Sequence, residues 1–219
     1  MRVVHVPCYA KEKLTPFNHA HILVLRLYGK IGVLTTAQYA NQLSQVVEYL
    51  NHYQIPAVEG GVILGCNQNS AEKIEHQVDA YLYIGTGRFH PLGVAFKTRK
   101  KVLLLNPTAK TLEELSEDEK SLWETQRRLR LQKAAAAQTF GIAVSTRDGQ
   151  FSLENALELK KKLEAKGKKA FIFAGDSFNP DSTLGTEVDA WINTACPRIT
   201  NDHFEKAVLN PEEIDEIMG

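Results

Sequence analysis

The chain has 219 residues with 26 Lys and Arg against 26 Asp and Glu, so no net charge draws it to nucleic acid or to an anionic membrane surface. Its 43% hydrophobic content suffices for packed cores, but no apolar run approaches the roughly 18 residues of a bilayer-spanning helix. Three cysteines make no disulfide framework and the N-terminus has no cleavable signal pattern, so a reducing cytoplasm with free or metal-bound thiols is expected.

Both halves read as alternating strands and helices. Residues 2–6, 22–27 and 31–36 are apolar runs rich in β-branched residues, as strands are. Leu43, Val46, Val47 and Leu50 recur at helical spacing. Residues 55–58 and 61–64 lead to Cys66, and 71–77 make a short polar helix. Residues 78–84 form a buried-strand pattern closed by Gly85-Thr86-Gly87, and 101–105 a further strand halted at Asn106-Pro107. Thr111-Leu112-Glu113-Glu114 and Ser116-Glu117-Asp118-Glu119 both fit capping boxes. From there to Gln138 strong helix formers predict a long helix joining the halves. Strands are expected again at 141–145, 170–174 and 188–192, with a helix from about 152 to 166 that stops at Gly167. Asn210-Pro211-Glu212-Glu213 starts a last helix.

Lys30-Ile31-Gly32-Val33 answers Phe140-Gly141-Ile142-Ala143, and Val78-Asp79-Ala80-Tyr81 answers Val188-Asp189-Ala190-Trp191, both at offsets near 110 residues. The expectation is a duplicated α/β fold: two similar domains, each a small parallel sheet flanked by helices, joined by the long helix. The boundaries are 1–115, with Cys66 and the turn at 85–90; 116–138, the connector; and 139–219, with Cys196.

Ligands collect at the carboxyl ends of parallel strands. Cys66, the turn at 85–90 and Cys196 fall at such ends, and the two cysteines are expected in matching parts of the duplication. Pro197 ends the strand before Cys196, and Arg198 favours a thiolate. The cysteines are 130 residues apart, so they make no zinc finger and meet only through the fold. Gly85 and Gly87 open a strand-to-helix turn carrying Arg88, suited to a carboxylate, and His90, a hydrogen-bond donor. No Gly-Lys-Ser/Thr comes after it, so it is not a P-loop. The runs at 127–130 and 160–162 read as solvated basic helix faces, and His19 and His21 as residues of a polar loop.

Four strings carry a resemblance to a known family: Gly61 to Asn67 (GVILGCN), Val78 to Gly93 (VDAYLYIGTGRFHPLG), Thr139 to Thr146 (TFGIAVST) and Val188 to Arg198 (VDAWINTACPR). Spread over most of the chain and in family order, they resemble the second and third domains of the diphthamide synthase family. That resemblance implies three similar α/β domains around a [4Fe–4S] cluster, one cysteine from each, with one iron open to S-adenosylmethionine. Cleavage between sulfur and the γ-carbon gives an aminocarboxypropyl radical, which adds to carbon 2 of a histidine of elongation factor 2. By resemblance, Cys66 and Cys196 are the second- and third-domain ligands. The residue types themselves place Gly85, Gly87, Arg88, His90 and Arg198 as expected partners for the carboxylate and amine of the cofactor. No counterpart of the first domain is expected before Met1. Cys8 falls where no family ligand lies and is not expected to bind metal. The third ligand is then expected from a partner chain, a second copy in a dimer, or a non-cysteine group. The alternative is a non-catalytic or electron-relay subunit of a larger synthase complex.

Overall fold

The computed structural model describes residues 4, 6, 8–11, 13–14, 17–65 and 67–218. In chain order its elements are α1 (His19–Leu25), β1 (Ile31–Thr35), α2 (Leu43–His52), β2 (Ala57–Val62), α3 (Asn69–Ile74), β3 (Ala80–Ile84), α4 (Phe89–Thr98) and β4 (Lys101–Asn106). Then come β5 (Thr111–Glu114), α5 (Glu117–Ala135), β6 (Thr139–Ser145), α6 (Leu153–Ala165), β7 (Lys169–Gly175), β8 (Ala190–Asn193), β9 (Ala207–Leu209) and α7 (Ile214–Ile217). The chain divides into two compact units, Met1–Lys120 and Ser121–Gly219.

The first unit holds a sheet ordered β2-β1-β3-β4-β5, parallel except for β5. The second holds β7-β6-β8-β9, all parallel. Without β5 the strand orders are the same, so the two parallel-rich α/β units expected from the repeated strings are present. The repeats have a structural basis. Asp79, just before β3, accepts a hydrogen bond from the Lys30 amide at 2.7 Å, and Asp189, just before β8, accepts from Gln138 and Thr139 at 2.9 and 2.8 Å. Each carboxylate ties the start of one strand to its neighbour. One pleat further, Gly32 pairs with Tyr81 and Gly141 with Trp191. A methyl group at Gly32 would lie 3.0 Å from the Tyr81 ring, and one at Gly141 2.5 Å from Trp191. In both units a glycine on the first strand makes room for a ring on the third.

Strand alternation splits the first unit's core in two. Ile31, Val33, Leu82 and Ile84 pack with Ile22 and Leu25 of α1 and Leu43, Val46 and Leu50 of α2. Leu34, Tyr81 and Tyr83 pack on the other face with Ala71 of α3 and Val94 and Ala95 of α4. In the second unit Phe140, Ile142 and Val144 pack with Ala134 of α5, Leu159 and Leu163 of α6 and Ile214 of α7. Trp191 and Val208, on the opposite face, meet the partly buried Phe178 and Phe204 instead.

Three local expectations are corrected. Residues 22–25 belong to a helix, because Asn18 and His21 cap one another and Ile22 and Leu25, three apart, turn to the core. His19 and His21 therefore sit on that helix and not in a loop. Residues 111–114 are the antiparallel strand β5: Asn106 accepts from the Thr108 and Ala109 amides at 3.0 Å each, which closes a hairpin that overrides the capping pattern. The edge strand β9, three residues long, is too short for a periodic signal. The second capping pattern is present, with the Glu119 amide on Ser116 Oγ at 3.2 Å and the Ser116 amide on Glu119 at 3.0 Å. The run at 2–6 lies mostly outside the described residues; Val4 and Val6 are exposed and belong to no element.

Candidate functional site

In the first unit the carboxyl ends of β2 and β3 bear two neighbouring loops. After β2 the chain turns at residues 64–67, where Leu64 and Asn67 exchange backbone hydrogen bonds at 3.0 and 3.1 Å. Cys66 lies within this turn in sequence and outside the described residues. Gln68, buried, donates to the carbonyls of Leu64 and Gly65 at 3.2 Å each. A methyl group at Gly65 would strike the Phe89 ring, and one at Gly93 would lie 2.7 Å from Gln68 Nε2. The turn that carries residue 66 is thus pressed against the first turns of α4.

The second loop is the turn at 85–88. Gly87 has φ +78°, a conformation that other residues adopt only with strain. Gly85 is needed for closeness: a methyl group there would lie 2.6 Å from the Tyr83 hydroxyl. That hydroxyl is buried and has no hydrogen-bond partner among the described residues, and burial pushes its pKa up to about 12. The Tyr83 ring stacks on His90, with centroids 6.0 Å apart. Burial lowers the His90 pKa, so its imidazole is neutral near pH 7. α4 starts at Phe89 with no side-chain cap and no acid in its first turn, and its N-cap residue is the cation Arg88. A helix N-terminus favours anions. The anions supplied here are Glu113, hydrogen-bonded to Arg88, and Glu119, 3.3 Å from Arg88 Nε.

In the second unit β8 ends at Asn193, which is buried and organises the loop after the strand. Its Nδ2 donates to the Cys196 carbonyl at 2.9 Å and to Asn210 at 3.3 Å, and its Oδ1 accepts from the Ala195 amide at 3.0 Å. Thr194 Oγ1 donates to the Ala143 carbonyl at 2.8 Å. Cys196 is a free, partly exposed thiol at the N-cap of a short 3-10 turn opened by Pro197. Arg198 is exposed and makes no ion pair with any described residue.

The structure gathers Gly85, Gly87, Arg88 and His90 in one corner of the first unit, beside the turn of residue 66, and Cys196 with Arg198 in one loop of the second. It corrects the matching of the cysteines. Residue 66 comes after β2, whose counterpart is β7, whereas Cys196 comes after β8, the counterpart of β3. The turn equivalent to the Cys196 loop is therefore 85–88. Cys8 is exposed. Among the described residues no group of three or more His, Cys, Asp and Glu side chains is assembled to hold a metal ion. Sequence reasoning missed Gln68, Tyr83 and Asn193, which position the loops; Gln68 was visible only as a polar residue after the first cysteine string, and Asn193 only as a polar residue within the second. Arg127 of the basic run pairs with Glu213 at 3.0 Å and with Glu216, a structural use.

A family model described as a putative diphthamide synthesis protein matches residues 1–219. The 2-(3-amino-3-carboxypropyl)histidine synthase of Pyrococcus horikoshii is 31% identical, over 99% of this chain and 65% of that protein. That of Methanocaldococcus jannaschii is 32% identical, over 84% of this chain and 50% of that protein. Subunit 1 of the human synthase is 27% identical, over 86% and 43%. The crystal structure of Dph2 from P. horikoshii superposes with a TM-score of 0.87 at 31% identity, covering 96% of this chain and 64% of that one. A second structure of it, with a 4Fe–4S cluster, gives 0.86. The chain thus spans less than two thirds of the length of these relatives.

Proposed function

The chain belongs to the diphthamide synthesis protein family, and from that membership we propose that it transfers a 3-amino-3-carboxypropyl group from S-adenosylmethionine to a histidine of elongation factor 2, with Cys66 and Cys196 as ligands of a [4Fe–4S] cluster. The observation that carries the reading is the Cys196 loop: a free, accessible thiol at the carboxyl end of a parallel strand, held by a buried asparagine. A soft thiolate is the donor that iron–sulfur clusters take, so the residue present fits the group. Support comes also from the relatives, which are named as synthases, and from the cluster in the structure of the Pyrococcus protein.

Such a cluster would supply an iron site at which the bond between sulfur and the γ-carbon of S-adenosylmethionine is cleaved. The chain's own contributions are positional. Asn193 holds the Cys196 backbone, and Gln68 holds the turn of residue 66 against α4. Gly85, Gly87, Arg88 and His90 present a helix N-terminus, a cation and a neutral imidazole to the amino-acid end of S-adenosylmethionine, and Arg198 adds a second cation.

Anaerobic reconstitution with iron and sulfide tests this, monitored by iron content, absorbance and electron paramagnetic resonance. A reducible cluster lost in Cys66→Ala and Cys196→Ala and kept in Cys8→Ala is expected, with cleavage of S-adenosylmethionine by the parent. A second reading, a non-catalytic or electron-relay subunit, is favoured by the relatives that are named as one subunit of a synthase. It predicts a chain that restores activity to a partner and cleaves no S-adenosylmethionine alone.

A further inference from the structure

Beside the turn at 85–88 lies a cavity of about 100 Å³, lined by Gly85, Gly87 and Arg88 on one side and by Leu104, Asn106, Thr111 and Glu113 of the β4–β5 hairpin on the other. It has room for several water molecules. Its wall carries one full charge of each sign, Arg88 and Glu113, which are hydrogen-bonded to each other and each close to half exposed.

A surface pair of this kind contributes little to stability. Its placement is also costly, since Arg88 puts a cation at a helix N-terminus. One further feature points to a ligand. The Asn106 side chain spends its oxygen on the Thr108 and Ala109 amides, and its Nδ2 donates to no described residue.

We propose that Glu113 and Arg88 together form a receptor for an α-amino-acid zwitterion, Arg88 and the α4 N-terminus taking the carboxylate and Glu113 the ammonium. The assignment rests on the proposed function, which brings the methionine end of S-adenosylmethionine to this turn, and adds Glu113 as the residue that selects for a free α-ammonium. A wall of one sign would accept an anion or an amine alone; a wall with both, a few ångströms apart, matches a zwitterion. Glu119, 3.3 Å from Arg88 Nε, keeps the guanidinium neutralised when Glu113 turns to the ligand.

The test compares binding of S-adenosylmethionine with binding of 5′-methylthioadenosine, which lacks the amino-acid end, by calorimetry on the anaerobically reconstituted chain. The parent is set beside Glu113→Gln and Glu114→Gln. Glu113→Gln is expected to weaken S-adenosylmethionine by about tenfold, the size of a lost charge-assisted hydrogen bond, and to leave methylthioadenosine unchanged. Glu114→Gln, outside the cavity wall and paired with Lys101 at 3.1 Å, should leave the ratio of the two affinities as it is. Decarboxylated S-adenosylmethionine, which keeps the ammonium, should suffer the same loss in Glu113→Gln. An unchanged ratio in Glu113→Gln, whether both ligands weaken equally or neither does, overturns the inference while binding by the parent leaves the proposed function standing. A parent that binds no S-adenosylmethionine removes the proposed function and the inference with it.

Discussion

The two units share a strand order and differ in what covers it. In the first, each face of the sheet has its own helices, α1 and α2 on one side and α3 and α4 on the other. In the second, one face is covered by α5, α6 and α7, and the other by side chains from loops: Phe178 packs at a tilt on Trp191 and stacks on Phe204, with ring centroids 5.2 Å apart in each pair. The edge strand β7 leaves Phe171 51% and Phe173 40% exposed on that face. The shared parts lie at the start and middle of the strands, an aspartate before the third strand and a glycine beneath its ring. The pairing of the central strands is thus specified locally, strand by strand, while the covering of the faces varies around it.

The comparison is broken most severely at the rings. Trp191→Ala removes the centre of the second unit's small cluster and should cost about 3–5 kcal/mol in urea unfolding monitored by circular dichroism. Next come the residues that hold the two loops. Asn193→Ala deprives the Cys196 carbonyl and the Ala195 amide of their partners and should cost about 1–3 kcal/mol. On the proposed function it should also speed loss of the cluster in air, and Gln68→Ala should do the same from the first unit, as absorbance decay would record.

A finer contrast separates the equivalent rings. Tyr81 donates to the Ala71 carbonyl at 2.7 Å, so Tyr81→Phe should cost about 1 kcal/mol. Trp191 Nε1 is buried with no partner among the described residues, and no hydrogen bond to them is lost when that ring is exchanged.

Smaller still is the pH effect of Asp189. Hydrogen bonds from the Gln138 and Thr139 amides hold its carboxyl below the usual carboxylate range. A depressed acid contributes stability above its unfolded pKa, about 3.9, and that contribution is lost as pH falls through the lower folded value. Acid unfolding of Asp189→Asn should accordingly be less steep below about pH 4 than that of the parent. The carboxylate is almost fully solvated, which keeps the effect small. Least of all should matter Phe171→Ser, within about 0.5 kcal/mol, because the ring is half exposed on an edge strand; a larger loss would mean that the face is covered in solution.

Much of the fold was legible in short strings. Strands β1, β3, β4, β6 and β8 were readable because buried parallel strands are continuous apolar runs, and α2 and α6 because their apolar residues recur at helical spacing. The strand pattern at α1 misleads because Ile22, Leu23, Val24 and Leu25 favour a strand by type, and only the cap at Asn18 with the packing of Ile22 and Leu25 decides otherwise. Glu113 lies inside the apparent capping box of Thr111 and Glu114, so its place in the cavity wall could not be seen.

From residue types and spacing alone came the two α/β units, the repeated aspartate and ring, the glycine turn after β3 and the cysteine strings, because each depends on neighbours within a few residues or on one repeated pattern. Tertiary structure alone decided that the two cysteine loops come after non-equivalent strands, that Gln68 and Asn193 brace them, and that Glu113 faces Arg88. Such facts depend on which strands become neighbours in a sheet, and Arg88 and Glu113, 25 residues apart in the chain, meet only once β3, β4 and β5 pair.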